Sequence, residues 1–237
     1  METFIATAAF VLILIVVIST LVMAEKLIRK RRKQGIMPLA TAMGFTEISA
    51  EDINIKQSYP HFLALSTAHL LYDYIIQRQL EDGIQQHIFD IELRSGNGQS
   101  EKISLSLIHI PKINLPTFLI KGRDKVRFTM RLIHDVSRAA QSMLFQYHPV
   151  EIQSEMFQQH YQLMAPDSSY GFGKLFTPEL MQQFEKHPSW QVEGMGDWLL
   201  FYQRGTLIKT SEFKNFTNDC MTLANGFRQS MLQSNQT

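Results

Sequence analysis

The chain has 237 residues, a formal net charge of +1, 45% hydrophobic and 19% charged residues, and one cysteine. A single cysteine excludes an internal disulfide and fits a reducing compartment. Residues 25–33 carry a net +5 and Glu2 −1, which leaves −3 on residues 34–237, so the body lacks the broad basic face that a nucleic-acid partner requires.

Residues 4–24 are an unbroken apolar run in which only Thr7, Ser19 and Thr20 are polar. As a helix the run reaches about 31 Å, enough to cross a hydrocarbon core of about 30 Å. Its hydroxyls can bond back to carbonyls within the helix. A cleavable signal peptide is the rival reading, with residues 22–24 as small or apolar cleavage positions. Glu2 stands where a signal peptide has positive charge, and the run exceeds the usual length of such a segment. Lys26, Arg29, Lys30, Arg31, Arg32 and Lys33 follow at once as a basic collar. The positive-inside rule keeps that collar cytoplasmic and leaves the N-terminus outside. Setting topology is the simpler role for the collar, although clusters of this size beside a membrane helix also attract anionic headgroups. No Gly-xxx-Gly supports dimerisation of the span.

Beyond the collar, Pro38 and Gly44 frame a short helix over residues 34–45. Residues 72–81 and 84–94 flank Asp82-Gly83, the signature of a two-residue hairpin. That turn sets Ile76 opposite Phe89 and Tyr74 opposite Ile91. A third strand over 102–110 matches its alternation to the second by pairing Leu93 with Ile103, Ile91 with Leu105, and Phe89 with Leu107. The result is an antiparallel meander with one apolar face and one wet face, the latter made of Gln77, Gln79, Gln86, Asp90, Glu92, Ser104 and Ser106. Pro111 and Pro116 bracket a loop, and residues 117–120 return as a fourth strand. Phe128, Leu132, Val136, Ala139 and Met143 recur at helical spacing over 126–145, the helix expected to cover the apolar face.

A second unit starts after Pro149. Residues 161–164 form a short strand, and Thr177-Pro178-Glu179 opens a helix with a cap, a first-turn proline and an acid near its positive end. Phe176 and Met181 occupy the positions of a hydrophobic staple, and His187-Pro188 ends the helix. Residues 190–193 and 197–203 make a hairpin whose second strand is apolar on both faces, as a central strand is. A last helix over 211–231 carries a stripe of Phe213, Phe216, Cys220, Leu223 and Phe227, best read as core packing.

The run "LFTPELMQQFEKHPSWQVEGMGDWLLFYQRGTLIK" (175–209) and the preceding "YQLMAPD" resemble the C-terminal part of a family of uncharacterised bacterial single-pass membrane-anchored proteins. "DG…FDIEL" (82–93) and "LPTFLI" (115–120) resemble its middle, and the hydrophobic helix with basic residues resembles its start. The resemblance implies a membrane-anchored protein with no established activity, and it supplies no catalytic residue.

No reaction motif is present. "SYGFGK" lacks the spacing of a phosphate loop, and the glycines of "GNG" and "GMG" sit between strands. Cys220 lies on the apolar stripe and reads as a buried, inert thiol. The expected register brings Arg78, His87 and His109 to one end of the apolar face. Two imidazoles lack a third metal ligand and the guanidinium opposes a cation, so an anion or acidic ligand suits the trio better. Equally, the trio can mark where the apolar face meets solvent.

The fold class that follows is α+β, one N-terminal transmembrane helix and a cytoplasmic domain of antiparallel sheet packed with helices. Its parts are an anchor (1–24), a collar (25–34), a meander with helices (35–148), a smaller α+β unit (149–232) and a frayed tail (233–237). The function expected is that of an accessory or scaffold protein in the inner (cytoplasmic) membrane, without catalytic residues, metal or cofactor. Its partners are the lipid bilayer and another membrane or cytoplasmic protein. A sensor of a small anionic ligand or lipid headgroup is the alternative, and an enzyme ranks below both.

Overall fold

In a computed structural model, residues 2–48, 62–66, 74–94, 100–123, 146–167, 171–203 and 205–234 are described. The helix expected over 126–145 lies outside them. Helix α1 runs from Glu2 to Ala42 without interruption. The anchor, the collar and the short helix expected at 34–45 are therefore one element. Its apolar part is exposed from Phe10 to Met23, and it is long and apolar enough to cross a membrane. Farther along, Ile36 and Ala40 are fully buried with Phe45, Tyr74, Ile76, Ile88 and Phe213. Gly44, at φ +81°, takes the left-handed conformation that ends the helix. The Phe45 N–H bonds to the Ala40 carbonyl at 2.9 Å and the Gly44 N–H to Thr41 at 3.0 Å, the paired bonds of a Schellman cap.

The strands are β1 (Thr46–Ile48), β2 (Ile75–Gln79), β3 (Gln85–Arg94), β4 (Ser100–His109), β5 (Leu115–Gly122), β6 (His148–Val150), β7 (Tyr161–Ala165), β8 (Gln191–Gly196) and β9 (Trp198–Tyr202). Among the described residues they form one antiparallel sheet in the order β1-β2-β3-β4-β9-β8-β5-β7-β6. The neighbour of β4 is thus β9, and the fourth strand expected beside the meander, β5, sits between β8 and β7. The two units anticipated from sequence share one sheet.

The β2–β3 turn holds both the expected feature and its correction. Asp82 (φ 61°) and Gly83 (φ 75°) are both left-handed, as an Asp-Gly two-residue turn requires, and the Ile84 N–H points to Glu81 O at 3.5 Å. The Ile84 carbonyl, however, accepts from Leu80 at 2.8 Å. Glu81 therefore joins the turn as one extra residue, and Ile75 rather than Ile76 faces Phe89. A one-residue slip exchanges faces, so Gln77 moves to the Phe89 side and Ile76 to the other. Between β3 and β4 the shift is two residues, pairing Ile91 with Ile103 and Phe89 with Leu105. That slip keeps the faces and changes only the partners.

Both faces are covered. On one, Ile75, Phe89, Ile91, Ile103, Leu105, Leu107, Leu200 and Tyr202 pack with Phe62, Ala64 and Leu65 of the short helix α2 (Leu63–Ser66) and the residue before it. The other was expected to be wet, yet Gln86, Asp90, Glu92, Ser104 and Ser106 are all buried there. Helix α6 (Phe213–Ser234) and the second half of α1 lie over it. Beside them sit α3 (Glu155–His160), α4 (Phe172–Leu175) and α5 (Pro178–Glu185), which pack with α6 around Phe118, Phe176, Phe184 and Phe227. Three local expectations for this half hold, while the first hairpin strand runs on through Gly194–Gly196, where the turn was expected. Thr177 Oγ1 caps α5 by accepting from the Leu180 N–H, the α6 stripe is buried, and β9 is buried on both faces.

Candidate functional site

The junction between α1 and the sheet is where the apolar helix becomes part of the folded core. At 100° per residue, Glu25, Arg29, Arg32, Lys33, Ile36 and Ala40 fall within a sector of about 100° on one side of α1. That side meets β3 and β4. Glu25 accepts from Arg29 at 2.6 Å and from Lys102 at 2.9 Å. Those bonds, Arg29 first, hold its carboxyl at about 2, well below the usual carboxylate range. Arg29 also approaches Glu92 at 3.9 Å.

One turn on, Arg32 enters a polar pocket. Its Nε donates to Asp90 Oδ2 at 2.5 Å, and Nη2 to Asp90 Oδ1 at 3.2 Å and to Ser104 Oγ at 3.0 Å. Nη1 donates to the Ile208 carbonyl at 2.5 Å. Ser104 Oγ donates to Asp90 and accepts from the Ile208 N–H. Burial works against the Arg32 charge, but the Asp90 carboxylate outweighs it and raises the guanidinium pKa. The Tyr74 hydroxyl belongs to the same cluster, its pKa raised by burial and by Asp90. A planar fork on a carboxylate, with its remaining donors on a hydroxyl and a carbonyl, is the strong form of ion pair. Lys33 pairs with Glu47 at the surface.

Lys26, Lys30 and Arg31 are exposed, Lys26 at the flank of that sector and Lys30 and Arg31 beyond it. The collar is therefore two sets of three. Composition shows the collar; only helical phase divides it, a signal already present in the spacing of Arg29, Arg32, Ile36 and Ala40.

The trio of Arg78, His87 and His109 is not assembled as expected. His87 faces Leu107, and His109 faces Gln85, which makes the imidazoles diagonal neighbours on one face. Trp198 lies beside both, 4.5 Å from His109 and 6.3 Å from His87 between ring centroids. Burial, helped by His109, lowers the His87 pKa to about 4. Arg78 is on the opposite face, because of the extra residue in the β2–β3 turn. There it donates to Gln86 Oε1 at 2.9 Å and lies 4.7 Å above the Phe45 ring.

A buried glutamate that sequence reasoning missed closes the His87 face. Glu193 is 3% exposed and accepts from the Leu63 and Ala64 N–H groups at 2.5 and 3.0 Å and from the Tyr202 hydroxyl at 2.8 Å. It ties α2 to β8. Its two backbone donors lie some 130 positions away, so no local pattern marks it.

No family model and no curated protein matches the chain. Among solved structures, the fold is similar to that of the mycobacterial trehalose monomycolate transport factor A, TtfA. The TM-score is 0.54 at 11% identity, over 86% of this chain and 93% of that one. At that identity the likeness is one of fold.

Proposed function

We propose that the chain is a single-pass protein of the bacterial inner membrane, N-terminus outside and sheet domain cytoplasmic. There it acts as an accessory or scaffold through contact with another protein. The observation that carries this reading is α1. Its apolar part is exposed to the surroundings, and the same helix continues without a break into the domain core. Such a join confines the domain to the membrane layer and raises its effective concentration toward partners in that layer. The resemblance of residues 175–209 to membrane-anchored proteins supports the same reading. So does the fold shared with TtfA, which is named a transport factor. The sensor alternative rests on His87, His109 and Trp198, without the guanidinium of Arg78.

Two measurements test the proposal. In inverted inner-membrane vesicles a C-terminal tag should be open to protease, and in intact spheroplasts protected. The reverse pattern overturns the orientation, and release by alkaline carbonate overturns the anchor. Photo-crosslinking from the exposed faces of the domain in native membranes should capture the same protein repeatedly. Recovery of the chain alone in every trial overturns the scaffold role.

A further inference from the structure

The collar is divided by what each cation touches, and the division has a direction. Arg29, Arg32 and Lys33 are committed to Glu25 and Glu92, to Asp90, and to Glu47. Lys26, Lys30 and Arg31 are exposed and make no ion pair among the described residues. Around the helix, Lys26 stands at the flank, about 20° beyond Lys33, Lys30 about 40° further and Arg31 roughly 100° beyond that, so the three run from the flank of the sheet-facing sector round to the side turned away from it. Along the axis, Lys26 stands about 3 Å and Lys30 and Arg31 about 9–11 Å beyond Ala24, the last apolar residue. A headgroup layer is roughly 5–8 Å thick on each side, and long basic side chains reach down to it.

The sheet strengthens the argument. Contacts of Arg29 with Glu92, Arg32 with Asp90 and Ile36 with the Ile88 cluster show β3 running back along α1 toward the apolar end. The domain meets the helix from Glu25 onward, with no spacer after the apolar run. At that level the acids on the α1 side, Glu25 and Glu92, are each paired with a cation. Among the described residues, no acid on that face is left without a cation to oppose an anionic surface.

We propose that Lys26, Lys30 and Arg31 form an outward cationic strip that binds the anionic phospholipid headgroups of the bilayer that α1 crosses. The inference rests on the reading of α1 as a membrane span. Its occupant is the lipid surface, chosen by charge and by continuity with the apolar helix. The strip then works opposite the Arg32 lock, with one side of α1 held by the sheet and the other by lipid, so the domain stands at a set angle to the membrane.

The test uses the full chain in nanodiscs of phosphatidylcholine with 30% phosphatidylglycerol, followed by gentle detergent extraction and a count of each lipid retained per chain. Wild type should retain phosphatidylglycerol at roughly fivefold or more above its bulk ratio. K26Q/K30Q/R31Q should fall to the bulk ratio. K174Q/K186Q/K214Q removes three exposed lysines on the domain, an equal charge change, and should keep the enrichment. Protection of Cys220 from thiol reagents reports that each variant is folded. Bulk ratio in wild type, undiminished enrichment in the first variant, or equal loss in both variants overturns the proposal. A chain that enters the nanodisc without enrichment refutes the strip alone. A chain that does not enter refutes the anchor and the strip together.

Discussion

Replacing Arg32 with alanine tests the central contact of the fold. The guanidinium is 15% exposed and the Asp90 carboxylate 5%, so neither is well solvated once the other is gone. Arg32→Ala removes both bonds to Asp90 and the donors to Ser104 and the Ile208 carbonyl. Asp90 keeps Ser104 as a donor but becomes a buried charge without its counter-ion. Breaking a buried pair in this way costs about 3–5 kcal/mol; with Ser104 remaining and some water entering the vacated space, the lower figure applies. For a chain of this size that lowers the melting midpoint by about 6–12 °C, measured on the full chain in mild detergent micelles. Lys33→Ala is the control. Its pair with Glu47 is 39% exposed on both sides, and such pairs contribute about 0.5 kcal/mol. Arg32→Met with Asp90→Leu should recover most of the loss, because removing both charges removes the desolvation cost as well. If Arg32→Ala melts within 2 °C of wild type, or its loss simply adds to that of Asp90→Leu, α1 is not locked to the sheet at this point.

Three further outcomes follow from the packing. His87 has a folded pKa of about 4 against an ordinary 6.5, so the unfolded chain takes up protons first as pH falls. Stability is intact above pH 6.5 and declines toward pH 4 by at most roughly 3 kcal/mol; His87→Gln should flatten that decline in melts at pH 7 and 4.5, and an unchanged slope refutes it. At Gly194 an added Cβ would lie 2.2 Å from the Phe118 ring. Gly194→Ala should therefore cost about 1–3 kcal/mol or more, and Phe118→Leu in the same chain should recover part of it; strict additivity of the two losses argues against the clash. Cys220 is fully buried, with its thiol pKa pushed up by burial, so thiol reagents should label it only at the rate of unfolding. Labelling of the native chain at the rate of an exposed cysteine contradicts the placement of α6.

Which parts were legible depends on the distance over which their signal acts. The Thr177 cap, the stripe of α6 and the double burial of β9 are patterns within a few residues, and each stands in the structure. Register was harder. Ile75 and Ile76 are both apolar, as are Ile88 and Phe89, so either pairing buries an isoleucine on each face and alternation cannot choose. The slip of two between β3 and β4 is invisible for a related reason, since a period of two is unchanged by a shift of two. The supposed wet face failed on distance. Asp90 and Ser104 are polar because Arg32 reaches them from 58 and 72 positions away, and Gln86 because it bonds Ser106 and the Thr217 carbonyl. Polarity on a strand marks a need for partners, and water is only one way to meet it.

Pro38 shows why α1 has to be read as part of the domain. A proline inside a helix removes one backbone bond and pushes against the carbonyl four residues back, at a cost of about 3 kcal/mol. That carbonyl belongs to Gln34, which is exposed and can turn to water. Sequence logic placed a boundary near this point, and an isolated segment would break there. In the fold it does not, because the turns around Pro38 bury Ile36 and Ala40 against Phe45, Tyr74, Ile76, Ile88 and Phe213. Fully burying one large aliphatic side chain yields about 1.5–3 kcal/mol, so Ile36 alone roughly offsets the proline, and the Arg32 pair adds to it. Continuity of the helix past residue 34 is thus a consequence of the folded sheet. A chain whose sheet is unfolded should still carry its apolar helix but lose the helical continuity beyond the collar, and with it any set angle between domain and membrane.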